Sequence, residues 1–302
     1  KDKVFKGWLN PDGKLLTSED VVEKDITLTA KWMEPYTCPE NCTPSEDGKT
    51  CTRKVMQEKI DAVITYVNME DEMWQTQFIC EKNKLENHNI SSINNCRFRD
   101  WGTLKYVLRS IDKFAPFVNN VFLVVQMESQ VPKWLNRETV KVVLHEEFMP
   151  EEVLPTYSSC AIEMYLHLIP GLSENFIYFN DDMILWNKCR SEDFFIGDKC
   201  VNSLHVFNSS AMLSVDAAKN GDKMYRYIDL NSTEFPYQVL GINLNTLYTT
   251  QHNPSAFIKS INNELYEKAK DIIKNRSYKF RCEDSLTQYM YIMYSVICNK
   301  CI

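Results

Sequence analysis

From Ile60 onward the apolar and polar positions fall into two alternating rhythms. Asp61-Ala-Val-Ile-Thr-Tyr-Val67, Asn120-Val-Phe-Leu-Val-Val125, Val140–Leu144 and Phe176-Ile-Tyr-Phe179 are short, nearly unbroken apolar runs. Their length and their β-branched and aromatic content predict buried strands. Between them apolar residues recur at three- and four-residue spacing. Leu104, Val107, Leu108 and Ile111 form one such stripe, and Ala161, Ile162, Tyr165, Leu166 and Ile169 another. Both stripes predict amphipathic helices. Strands separated by helices at this spacing predict an α/β domain built on a mostly parallel sheet. Pro254–Lys274 and Glu283–Val296 predict two further, C-terminal helices.

The first 58 residues have a different rhythm. Residues 1–33 predict a small β module: a strand at Val4–Leu9, turn chemistry at Asn10-Pro-Asp-Gly13, and an alternating strand at Ile26–Trp32. Residues 34–58 are rich in Pro, Glu, Thr, Ser and Lys and predict a linker, leaving 59–302 as the α/β domain. Leu85–Asn95 is a second polar stretch, expected to form a surface loop. Phe5-Lys-Gly-Trp8 and Thr27-Leu-Thr-Ala-Lys-Trp32 resemble the end of an internalin-type B-repeat, which implies a stalk or spacer. An ordinary hairpin is the alternative.

Composition narrows the function. The 302 residues carry a net charge of −7, which excludes nucleic acid as the main partner, since such domains present a basic face. A phosphorylated ligand remains compatible, because a metal ion can neutralise charge locally. No apolar stretch approaches the roughly 18 residues that a membrane-spanning helix needs. The sequence opens at Lys1, without Met and without a signal-peptide pattern, as expected of an excised piece or a processed product, with any anchor outside it.

The 11 cysteines are an odd number, so at least one lacks a partner within the chain. Cys38, Cys42 and Cys51 gather in the linker. One local disulfide is expected there rather than a zinc site, which wants four ligands in tighter pairs. Asn-x-Ser/Thr sequons start at Asn41, Asn89, Asn208, Asn231 and Asn275. About three would arise by chance in so Asn-rich a chain, so they lend only slight support to a cell-envelope or secretory-lumen setting.

The sharpest candidate chemistry is Asn180-Asp181-Asp182, at the carboxyl end of the fourth strand. Open α/β sheets bind ligands beyond that end. Adjacent carboxylates repel and want a cation, and hard oxygen ligands suit Mg²⁺ or Mn²⁺. A polar turn after a strand is the plain alternative. Arg97 opens Arg97-Phe98-Arg99-Asp100 ahead of a helix; its planar fork suits phosphate, and a solvated surface pair is equally open. Glu163 lies beside a core-facing stripe, either as a buried functional carboxylate or as an edge residue. His252, in Gln251-His-Asn-Pro254, is either a base or a surface loop residue. Arg281 precedes the last helix with as plain an alternative.

Together these segments resemble the Stealth family. Ile60–Trp74 is similar to its first conserved block, and Arg97-Phe-Arg-Asp-Trp-Gly-Thr-Leu-Lys-Tyr-Val-Leu-Arg-Ser-Ile111 to the start of its second. Leu154-Pro-Thr-Tyr157, Ala161-Ile-Glu163, His167, Ile169-Pro-Gly-Leu-Ser173 and Phe176–Asp182 continue that block in order. His252-Asn-Pro254 and Phe280-Arg281, with Tyr289, Tyr291 and Tyr294, resemble the third. The family includes bacterial capsular polysaccharide phosphotransferases and the animal enzyme that marks lysosomal glycoproteins with N-acetylglucosamine-1-phosphate.

The resemblance implies a Rossmann-like, glycosyltransferase-A-like fold and Mg²⁺ or Mn²⁺ dependence. It implies transfer of a hexose-1-phosphate from a nucleotide-sugar donor to a hydroxyl of a glycan acceptor. It places catalysis on Glu163, Asp182, His252 and Arg281, the metal on Asp181 and Asp182, and donor binding on Asn68, Asp71, Arg97 and Asn180. In that scheme His252 takes the acceptor proton and stands across the phosphate from the metal, because in-line displacement puts attacker and leaving group on opposite sides. The chain departs from the family at Met69, where Gly is usual, and at Trp101 and Cys160, which replace commoner polar residues. The spacer between the second and third blocks is short, and no fourth block is found before Ile302.

Overall fold

A computed structural model describes residues 4–17, 27–33, 42–44, 51–53, 59–84, 98–207, 223–243 and 247–302. Arg97, Cys38, the 85–95 stretch and the sequons at Asn41, Asn89 and Asn208 lie outside the described residues. The chain divides into two compact units, Lys1–Glu58 and Lys59–Ile302. In the first, β1 (Val4–Leu9) pairs antiparallel with β2 (Thr29–Met33). The Asn10–Gly13 turn closes by Gly13 N donating to Asn10 O at 2.9 Å, with Gly13 at φ +80°. Within the segment expected to be a linker, β3 (Cys42–Pro44) and β4 (Cys51–Arg53) form a short antiparallel pair.

The second unit is built on β5 (Ile60–Thr65), β6 (Val118–Val125), β7 (Val140–Leu144) and β8 (Asn175–Asn180). Two short pairs follow: β9 (Phe195–Ile196) with β10 (Lys199–Cys200), and β11 (Leu204–Phe207) with β12 (Leu247–Thr250). β13 (Ser255–Ile258) then joins the main sheet, whose order is β13-β8-β5-β6-β7. β8, β5, β6 and β7 run parallel, and β13 is antiparallel to β8. The mostly parallel α/β architecture expected from the sequence is therefore the one observed.

Strand alternation puts successive side chains on opposite faces. Val63, Phe122, Val124, Phe176 and Tyr178 pack on one face, against 161–172 and the C-terminal helices. Ala62, Ile64, Leu123, Val125, Ile177 and Phe179 pack on the other, against α2 (Leu104–Phe114) and the 183–200 segment. α1 (Glu72–Asn83) caps the β5 exit: Trp74 N donates to the Asp71 carboxylate at 2.8 Å.

Three elements depart from the sequence-based expectation. The 161–169 stripe is only a five-residue helix, α3 (Ser159–Glu163), followed by a 3-10 turn at Leu166–Leu168. Ile169 precedes Pro170, and that position disfavours helical backbone. The expected helix from Pro254 begins only at Lys259, because Ser255–Ile258 is drawn into the sheet edge as β13; the helix proper is α5 (Lys259–Asn275), after α4 (Lys223–Leu240). The last helix, α6, is shorter than expected, spanning Tyr289–Ile297, and is buried on all sides from Tyr289 to Ser295. Such a helix belongs to the core rather than its surface.

At the amino end of the sheet, Asp61 is fully buried. Its Oδ1 accepts from Asn119 Nδ2 at 2.9 Å and from Asn120 N and Nδ2 at 3.0 Å; its Oδ2 accepts from Ser173 N at 2.8 Å. This one carboxylate ties the entries of β6 and β8 to β5. Asp61→Ala strands buried donors and is expected to destabilise the α/β unit by about 3 kcal/mol. That appears as a lower urea midpoint with an unchanged m-value.

His167 is buried between Tyr266 and Tyr291, with ring centroids 5.2 Å from each. Neither of its nitrogens has a hydrogen-bond partner. Burial, aided by the Lys259 charge, pulls its pKa down to about 3. The unfolded chain, with an ordinary imidazole near pH 6.5, therefore binds the proton first as pH falls. Stability from the neutral ring is complete above about pH 6.5 and is lost progressively toward pH 3. His167→Phe should flatten the unfolding free energy between pH 6.5 and 5 by about 1.4 kcal/mol per pH unit. An unchanged slope would refute the assignment.

Candidate functional site

The parallel order β7-β6-β5 grows to one side of β5, and the chain then returns to lay β8 on the other side. That reversal makes a crevice beyond the carboxyl ends of β5 and β8, the position where open α/β sheets take ligands. Thr65 and Asn180 are register partners at this end. A cavity of about 230 Å³ opens there, with Thr65, Tyr66 and Val67 from the first strand and Asn180, Asp181 and Asp182 from the second in its wall. Arg281, Ser159, Thr156, Tyr157, Gln126 and His145 add further polar groups to its lining.

Burial acts first on Asp181, and the nearby charges of Asp182 and Asp100 add to it; its carboxyl is pushed up to about 7. Asp100 is held by Tyr66, whose hydroxyl donates to Asp100 Oδ2 at 2.7 Å, and by Gly102 N at 2.6 Å. Asn180 is fixed by Tyr178, whose hydroxyl donates to Asn180 Oδ1 at 2.6 Å and lies 2.9 Å from Thr65 Oγ1. The same hydroxyl is 3.4 Å from Glu163 Oε1. Glu163 is therefore a buried residue and not an edge one. Burial raises its carboxyl pKa, opposed by the charge of Arg281.

Arg281 Nη2 donates to Ser159 Oγ at 2.6 Å, at the start of α3. Burial raises the neighbouring Cys160 thiol to about 11, against the pull of Arg281. An aromatic group beneath the cavity holds these pieces in place. Phe78 packs on Trp74, Phe98, Tyr157 and Phe280 with ring centroids 4.9 to 5.7 Å apart. Tyr157 N donates to Lys279 O at 2.8 Å. Arg281 and the approach to Asp100 thus hang on one cluster of rings.

His252 Nε2 lies 3.4 Å from Asp182 Oδ1, with the two side chains 61% and 57% exposed. This contact sets the imidazole beside Asp182. Ser255 pairs with Tyr178 in the antiparallel β13–β8 register, so the chain before β13 runs past the exit of β8. His252 is brought onto the rim that carries the acids.

The structure therefore gathers Asn180, Asp181, Asp182, Arg281 and, one layer deeper, Glu163, with His252 on the rim. Asn68 and Asp71 are not among the cavity's lining residues. The Asn68 backbone exchanges hydrogen bonds with the Gln130 amide at 2.7 and 2.9 Å, its side chain accepts from Glu70 N, and Asp71 caps α1. Sequence reasoning passed over Tyr66, Asp100, Ser159 and Tyr178. Asp100 was legible as the acid of the Arg97–Asp100 segment; the tyrosines read as strand filling.

Fold and site together define a Rossmann-like, glycosyltransferase-A-like domain with an acidic strand-end pocket. Residues 97–203 match the family model described as Stealth protein CR2, conserved region 2, and the chain belongs to the Stealth family. It is 44% identical over 146 residues to capsular polysaccharide phosphotransferase eps5J of Streptococcus thermophilus, covering 46% of this chain and 59% of that one. It is 34% identical over 238 residues to capsular polysaccharide phosphotransferase fcs1 of Haemophilus influenzae, covering 75% and 62%. Exopolysaccharide phosphotransferase cps2G of Lactiplantibacillus plantarum is 43% identical over 142 residues, covering 46% and 40%. The chain spans less than two thirds of the length of these curated relatives. Among the described residues no helix is long and apolar enough to cross a membrane.

Proposed function

We propose that the α/β unit transfers a hexose-1-phosphate, such as N-acetylglucosamine-1-phosphate, from a nucleotide sugar to a hydroxyl of an acceptor glycan, releasing a nucleoside monophosphate. The observation that carries this reading is the convergence of Asp181, Asp182, Arg281 and His252 on one crevice at the sheet's reversal point. The relatives named as polysaccharide phosphotransferases support the same reaction class.

Phosphoryl transfer asks a protein mainly for positioning and charge compensation. Arg281 supplies a planar fork for phosphate oxygens, oriented by Ser159. His252 takes the proton of the acceptor hydroxyl, and Asp182 steadies the imidazolium that results. Glu163, with Tyr178, sets the charge behind Arg281 and the orientation of Asn180. The sugar C1–O bond is not broken, so its anomeric configuration is kept.

Asp181 and Asp182 fit a divalent cation because Asp181 is buried beside the charges of Asp182 and Asp100. Among the described residues no group of three or more His, Cys, Asp or Glu is arranged to hold a metal ion. Two carboxylates completed by water and a diphosphate match the habit of Mg²⁺ or Mn²⁺. Such an ion supplies charge neutralisation on the leaving phosphate when bound.

The test is product analysis with UDP-N-acetylglucosamine and other nucleotide sugars in the presence of Mg²⁺. Nucleoside monophosphate and a phosphodiester are expected. Nucleoside diphosphate and a glycoside would instead make this an ordinary glycosyltransferase. Asp181→Asn should in addition remove the Mg²⁺ dependence of donor-induced thermal stabilisation.

A further inference from the structure

The C-terminal residues close back onto the α/β unit. Cys200 N donates to Lys300 O at 2.9 Å, Ile302 N to Cys200 O at 2.9 Å, and Asn202 N to Ile302 O at 3.2 Å. Cys200 and Cys301 are thereby partners in a parallel β-bridge. Hydrogen-bonded strands run about 4.8 Å apart, inside the roughly 4.4–6.8 Å Cα separation that a disulfide spans. The side chains agree with the backbone. Asn202 Nδ2 lies 3.5 Å from Cys200 Sγ and 3.7 Å from Cys301 Sγ, so one amide group touches both sulfurs. Both are free; Cys200 is fully buried and Cys301 partly exposed. Cys298, the other cysteine of Cys298-Asn-Lys-Cys301, keeps different company, beside Tyr294 and Glu264.

We propose that Cys200 and Cys301 form a redox-responsive disulfide that locks the C-terminal residues onto the edge of the catalytic unit. The segment being locked is already stitched to β13. Asn202 Nδ2 donates to Ala256 O and Ala256 N donates to Asn202 Oδ1, both at 3.0 Å. β13 in turn carries His252 at its entry. The lock therefore braces the strand that sets the rim of the pocket, whatever reaction the pocket performs.

The chemistry divides between the two sulfurs by access. Cys301 is the one a soluble oxidant reaches. Asn202 Nδ2 donates toward its sulfur, an interaction that favours the thiolate, and the thiolate is the attacking form. With a low-molecular-weight disulfide as oxidant, the Cys301 thiolate attacks one sulfur and expels one thiolate, leaving a mixed disulfide. Cys200 then gives up its proton and attacks Cys301 Sγ, expelling the second thiolate. Two protein thiols are oxidised, and one small disulfide is reduced to two small thiols.

The experiment treats the full chain with glutathione disulfide at pH 8, blocks remaining thiols, and maps peptides without reduction. Expected are a peptide pair joining Cys200 to Cys301 and a rise in Tm of roughly 5 °C or more, since the bond closes a loop of about 100 residues. Dithiothreitol reverses both. Cys301→Ser abolishes the Tm rise and Cys298→Ser keeps it. A link between Cys298 and Cys301, a mixed glutathione disulfide at Cys301 that never resolves, or a Tm rise that survives in Cys301→Ser would each overturn the proposal.

Discussion

Arg281→Ala is expected to lower turnover by roughly 10³-fold or more, in the range that a lost arginine costs a phosphoryl-transfer centre. The guanidinium is held by Ser159 Oγ at 2.6 Å and stands in the pocket wall with Asp181 and Asp182. In the proposed reaction this guanidinium meets the charge on the transferring phosphate. Arg281→Lys should recover only a small part of the loss, because an ammonium offers a point charge where the phosphate needs a planar fork. The change also leaves Glu163 buried without its compensating charge, so some stability is lost with activity. The double variant Arg281→Ala/Glu163→Gln separates the two effects. It should regain unfolding free energy toward wild type while turnover stays down. Turnover within tenfold of wild type in Arg281→Ala would remove Arg281 from the chemistry.

The legible part of this protein was what local patterning decides. Buried parallel strands carry continuous apolar runs, so β5 to β8 and the acids at the exit of β8 stand out in the sequence. β13 did not, because Ser255–Ile258 is four apolar or small residues abutting a helix, and only pairing with β8 makes it a strand. The same pairing decides the position of His252, which no local feature reveals. Glu163 shows the limit from the other side. Its spacing allowed a core or an edge position, and only the meeting of α3 with Tyr178 and Arg281 makes it a buried carboxylate. Asn68 and Asp71 sit within a family-like block, yet their hydrogen bonds go to a turn and a helix cap. A motif records that residues matter, and in these two the visible work is holding the loop after β5.

His252→Ala is expected to lower turnover by roughly 10²- to 10⁴-fold, the usual contribution of a general base, with donor affinity nearly unchanged. The argument rests on access and on the partner. The imidazole is open to solvent, and its Nε2 is 3.4 Å from Oδ1 of Asp182, a residue of the pocket wall. A contact of that length in the free protein can tighten once substrate is bound. Its closeness to the acids raises a competing role, that of a ligand to the cation beside Asp182. The two roles part in their readouts. A base changes turnover and the acid limb of the pH–rate profile, and leaves the Mg²⁺ concentration dependence of donor binding as it was. A metal ligand shifts that dependence directly. His252→Gln sharpens the comparison, because an amide can donate and accept hydrogen bonds but cannot take up the acceptor proton. If His252→Gln binds donor and Mg²⁺ as the wild type does while losing turnover together with its pH-dependent acid limb, the base assignment stands. If both variants instead require much more Mg²⁺ to bind donor, His252 belongs to the metal, and the acceptor proton must leave by another residue.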